Sequence, residues 1–103
     1  MTYTFVFDKR LKIYIPKVYT EWNKLDRFTQ EEILYKWEHS RGQIPDLIKE
    51  LDRKIEIKQQ RLYEEEDFEK SCQLNDDISY LASIINDLWI WYRSTEVVTV
   101  KSS

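Results

Sequence analysis

Glycine occurs once in the 103 residues, proline twice, cysteine once and histidine once. With so little punctuation, loops are expected to be few and short. The lone cysteine, Cys72, excludes an internal disulfide and suits a reducing compartment, so a cytoplasmic location is expected. The lone histidine, His39, has no nearby cysteine or second histidine with which to make a metal set. No apolar run approaches the roughly 20 residues of a membrane span, and the opening "MTYTFVFDKR" lacks the pattern of a signal peptide. Nor is there a phosphate-cradling glycine loop, a nucleophile elbow or a zinc-ligand spacing. These absences predict no catalytic residues, no metal and no cofactor, and hence no enzyme.

What is present belongs to a folded chain. Hydrophobic residues make up 42% and charged residues 34%, a balance that argues against disorder. The length predicts one domain over residues 1–103, able to bury a core yet small enough to be helped by a partner. The Ile- and Lys-rich, Ala-poor composition resembles that of small proteins of low-GC bacteria or their phages. Net charge is −3, unevenly spread: residues 1–27 carry +3, residues 44–67 carry −3 and residues 68–93 carry −2. That asymmetry can orient self-association but is too small to argue for nucleic acid.

The patterns predict an α+β chain that is predominantly α. Tyr3, Phe5 and Phe7 alternate with Thr2, Thr4 and Val6, and alternation resumes with Leu11, Ile13 and Ile15. A β-hairpin over residues 1–15, turning at Asp8–Arg10, is the simplest reading. Two short helices are expected over residues 16–42. Pro16 would open the first, with Val18, Trp22 and Leu25 on one face. Thr29 would cap the second, with Glu32 completing a capping box and Phe28 and Ile33 forming a hydrophobic staple. Gly42 would end it in the left-handed conformation. A further strand at Val97–Val100 is plausible, because two strands alone are marginal.

Residues 44–93 predict a long helical hairpin. Ile44, Ile48, Leu51, Ile55 and Leu62 form a coiled-coil-like stripe with Lys58 at the missing seam position. Continuing by heptads, the stripe would reach Glu65, Glu69, Cys72, Asp76 and Ser79, a polar line. The apolar phase instead restarts at Phe68 and runs through Leu74, Ile78, Leu81, Ile85 and Leu88, so the chain turns between the stripes. The acids Glu64 to Asp67 fit the positive start of a new helix.

Within this hairpin, "EEEDFEKSCQLNDDISYL", preceded by "LIKELDRKIEIKQQRLY", resembles the UVR motif, a helical hairpin found in bacterial nucleotide-excision-repair subunits. It also occurs in some partners of chaperone–protease and arginine-kinase systems. Asp67, Phe68 and Glu69 match its acidic–aromatic–glutamate start, Ser71 and Cys72 its small pair, and Leu74, Asp76, Ile78 and Leu81 the rest. Asn75 stands where the family usually has arginine, and Ser-Cys replaces Ala-Ala. The resemblance spans about residues 44–83 and implies a hairpin that pairs with another hairpin.

The physics of a lone hairpin points the same way, since a second hairpin completes a four-helix bundle. The expected function is non-enzymatic protein–protein interaction, by homodimerisation or by pairing with another hairpin, in an adaptor or regulator. Ile48, Leu51, Ile55, Leu62, Phe68, Leu74, Ile78, Leu81 and Ile85 would form the pairing surface, with Asp77 on the opposite face. In "DLWIWYR", residues 87–93, Ile90 and Trp91 fall outside the seam, as does Ile84 before them. Strands and Trp22/Trp37 would cover that end, or a second chain would, with Trp91 as the surface-reaching contact. His39 reads as a solvated or helix-capping residue, Cys72 as a small residue that lets helices approach, and the acidic clusters as solvated helix starts. The alternative function is a small nucleic-acid-binding protein using Lys9, Arg10, Lys12 and Lys17 amid the N-terminal aromatics.

Overall fold

The computed structural model of the chain describes residues 2–94. Strands β1 (Tyr3–Asp8) and β2 (Ile13–Val18) form an antiparallel hairpin, paired from Tyr3 opposite Val18 to Asp8 opposite Ile13. A 3-10 turn at Trp22–Lys24 leads into three helices: α1 (Arg27–Arg41), α2 (Ile44–Glu64) and α3 (Phe68–Tyr92). Helix accounts for 69% of the structure, so the fold is α+β and predominantly α. None of the described helices is long and apolar enough to cross a membrane. The strand expected at Val97–Val100 lies outside the described residues.

The β-turn is longer than the alternation suggested. The Leu11 N–H donates to Asp8 Oδ1 at 2.8 Å and the Lys12 N–H to the Asp8 carbonyl at 2.6 Å, holding residues 9–12 in the turn. Lys12 takes φ 63° to close it, so β2 starts at Ile13. Leu11 is therefore a turn residue, yet it is buried in the core.

Pro16 does not open a helix; it sits inside β2, opposite Phe5. The Tyr19 N–H donates to the Thr2 carbonyl across the hairpin at 2.8 Å. Hydrogen-bonded and non-bonded pairs alternate from there, so Phe5–Pro16 is a non-bonded pair. Proline loses no ladder bond at such a site.

Helix α1 begins one turn earlier than the capping-box reading. Asp26, not Thr29, is the N-cap: its Oδ1 accepts the Thr29 N–H at 2.7 Å. That hydrogen bond, and the Thr29 side chain first of all, holds the Asp26 carboxyl below its ordinary pKa. Phe28 then falls inside the helix and is 74% exposed, so no staple forms. Gly42 ends the helix in right-handed geometry, φ −65°, not in the left-handed form. With Gln43 it makes a two-residue corner in helical dihedrals, and Pro45, the second residue of α2, lies in the first turn, where its missing N–H is harmless.

Helices α2 and α3 pack along each other as the expected antiparallel hairpin, joined by Glu65–Asp67. Asp67 caps α3, its Oδ1 accepting from the Glu69 and Lys70 N–H groups at 2.8 and 3.2 Å. The core lies at the opposite end. Leu11, Ile13, Val18, Leu25, Ile33 and Trp37 close over Ile44 and Ile48 at the start of α2 and over Ile84 and Leu88 late in α3. The molecule measures 60 × 22 × 19 Å, so the far half of the hairpin extends as an arm.

Candidate protein-interaction surface

The arm is defined by what surrounds it. From Lys49 to Ser83, among the described residues, no side chain is fully buried. Along α2, Leu51, Ile55, Lys58 and Leu62 are half-buried, and along α3 so are Ser71, Leu74, Ile78, Leu81 and Ile85. The spacing is that of a coiled-coil seam. Away from the core, each helix has, among the described residues, the other to lie against, so the seam is closed on one side and wet on the next. Ile48 differs: it is the last α2 residue inside the core.

Lys58 occupies the seam position where the heptads call for an apolar residue. Its Nζ donates to Asp77 Oδ2 at 3.2 Å, and Gln73 Nε2 donates to Asp77 Oδ1 at 3.0 Å. The Lys58 bond, then the Gln73 bond, hold the Asp77 carboxyl below its ordinary pKa, against a smaller opposing desolvation. Asp77 is thus a seam residue and not the far-face residue expected from the periodicity. A salt bridge needs side-chain reach more than heptad phase, so the helical wheel misplaced it.

Phe68 stands outside the seam. As the first residue of α3 it is 80% exposed at the tip, because the turn brings the chain round before α3 meets α2. Tyr63, in the last turn of α2, is exposed too. Ile57 and Tyr80 are further exposed apolar side chains on the two helices.

Of the two covers expected for the Trp-rich end, the structure shows the chain's own, so Trp91 is not the surface-reaching contact. Trp91 packs on Trp37 with ring centroids 5.5 Å apart, and Ile84 is buried in the core. The first half of the chain covers this end, through Trp37 and through Arg41, whose Nη1 donates to the Tyr92 carbonyl at 2.8 Å. The large hydrophobic side chains exposed there, among the described residues, are Trp89 and Ile90. Residues far apart in sequence make this closure, which no local pattern shows. The same holds for Arg10, which reaches from the β-turn to Asp87 (2.7 Å) and Ser83 (2.9 Å) on α3.

A second surface lies between β1 and α1. An open groove of about 920 Å³ is lined by Tyr3, Phe5, Tyr14, Tyr35, Lys36 and His39, among others. The Tyr3 hydroxyl donates to Glu32 Oε1 at 2.7 Å and accepts from Lys36 Nζ at 3.3 Å. Phe7 and Tyr14, 5.1 Å apart, continue the aromatic surface outward and are exposed. His39 is exposed in the last turn of α1. Cys72 is exposed on α3, so it is not the close-approach residue between helices that its size suggested; Ser71 beside it is the half-buried one. No cluster of three potential metal-ligating side chains occurs among the described residues.

No protein-family model, no curated protein and no solved structure matches this chain.

Proposed function

We propose that the chain is a non-enzymatic protein-interaction module whose working surface is the α2–α3 arm, pairing with another helical hairpin, in the first place that of a second copy. The observation that carries this reading is the run from Lys49 to Ser83, regularly apolar on one stripe yet without a fully buried side chain among the described residues. A two-helix arm in water leaves part of that stripe wet, and a second hairpin completes a four-helix bundle over it. The UVR-like residues fall on this arm, Asp67 through Leu81, and that resemblance supports a hairpin that acts by pairing. The single, exposed Cys72 suits work in the reducing cytoplasm.

Size sets the strength of such pairing. Sixteen residues of α2 beyond Ile48 make an arm roughly 24 Å long and about 20 Å wide. Two such faces together present about 1,000 Å² of projected area, near the lower limit for a specific interface. Pairing is therefore reversible on dilution. Light scattering on size-exclusion fractions tests it directly. Wild type is expected to gain mass with concentration, and Ile78→Asp is expected to remain monomeric with its core-end near-UV signal intact. Equal assembly by both proteins would sink the arm as the pairing surface.

The aromatic groove favours a second reading, single-stranded nucleic acid stacking on Phe7, Tyr14 and Tyr35 beside Lys36. Phosphate contacts make such binding fall steeply with salt. Titration of a labelled oligonucleotide at two salt concentrations decides it; the same weak signal at both removes the reading.

A further inference from the structure

Resting on the arm as the pairing surface, we infer that two copies lie antiparallel, the tip of each arm against the shoulder of the other. The charge placement carries this. The tip, residues 61–70, holds five acidic side chains and two basic ones, a net −3. The shoulder, where the arm leaves the core, is of opposite sign. There the β-turn carries Lys9, Arg10 and Lys12, and Arg10 anchors the turn to α3 through its 2.7 Å bond to Asp87. Lys49, Arg53 and Lys54 project from the first turns of α2 beyond the core, all exposed. Counting Asp8, Glu50, Asp52 and Asp87 against these six cations, the shoulder carries +2.

A parallel pair would set two −3 tips side by side and two +2 shoulders side by side. Like charges facing one another across an interface are destabilising, and complementary potentials fix register. An antiparallel pair matches tip to shoulder at both ends through one two-fold axis, which passes the arm near its middle. The interface is then isologous and closed, so assembly stops at two. The apolar seam supplies the attraction; the charges choose its direction. Added salt weakens that choice, because these side chains are exposed and screened.

Spin-label distances test the orientation in the full-length chain. Cys72 is replaced by Ser and Glu66, exposed in the tip turn, by Cys, and the new thiol carries a nitroxide. Far-UV circular dichroism checks that the labelled chain remains helical. The arm from Lys49 to Glu66 is about 25 Å long, so antiparallel tips are expected to give a dipolar distance beyond ~20 Å. A distance below ~20 Å in a sample of dimeric mass means that the tips meet, which overturns the antiparallel arrangement and leaves pairing standing. A monomeric mass, or a dimer with no dipolar coupling at all, overturns both. A matched label at Arg53, mixed with chains labelled at Glu66, provides a second reading: a cross-chain distance shorter than the tip-to-tip one is expected, and a longer one contradicts the arrangement.

Discussion

Lys58 and Asp77 join the two helices of the arm at 3.2 Å, at the level where the heptad pattern of α2 calls for an apolar side chain. Both are partly exposed, so the pair is worth far less than a buried one. It is more useful for register, since a charged seam position tolerates few alternative alignments of α3 on α2.

The pH dependence of this pair has a definite sign. The Asp77 pKa is lowered in the fold, first by Lys58 and then by Gln73. Its contribution is fully present above the unfolded aspartate value of about 3.9 and is lost as pH falls through the lower folded value. Asp77→Asn is therefore expected to lower the Tm at pH 7 and to differ less and less from wild type below pH ~4. A Tm difference that stays constant from neutral to acid pH would contradict the assigned role.

The hairpin was the most legible part of the sequence, for a physical reason. The turn has to occur where the apolar stripe changes phase, and Glu64–Asp67 marks it with the acids a helix start favours. Elsewhere the local signals were real but ambiguous. Pro16 suits a helix start and a non-bonded strand pair equally well, and only the register with Phe5 decides. Thr29 and Asp26 are both good caps; the chain chose the earlier. At the Trp-rich end, Ile84 and Trp91 fell outside the seam, and the pattern left two covers open, Trp37 or a second chain, because the contacts that decide span over forty residues.

Gly42 offers a clean test of the corner between α1 and α2. Its dihedrals are right-handed, and an added Cβ would meet the Glu38 carbonyl at 3.4 Å, an ordinary contact. Gly42→Ala should then stabilise the chain by about 0.4–1 kcal/mol, because alanine has less freedom to lose in the unfolded state. Had the corner been left-handed, the same change would destabilise it. Chemical denaturation of the two proteins gives the sign.

The two ends of the hairpin should respond unequally to truncation. Leu88 is fully buried against the core, and Leu88→Ala is expected to cost roughly 2–5 kcal/mol at any protein concentration. Leu62, near the tip, is half-buried. In dilute solution Leu62→Ala should cost less, about 1 kcal/mol, since much of its apolar surface is already in water. Its cost should rise with concentration as paired arms bury it. Urea titrations at two widely separated concentrations read both effects; a concentration-independent cost at Leu62 would argue that the arm stays uncovered.

The most direct measurement is the solution mass of the full chain by light scattering across a wide concentration range. The arm as a self-pairing surface predicts a mass that climbs from 12.7 kDa towards twice that value and stops there, reversibly on dilution. A mass that holds at 12.7 kDa at every concentration would contradict it.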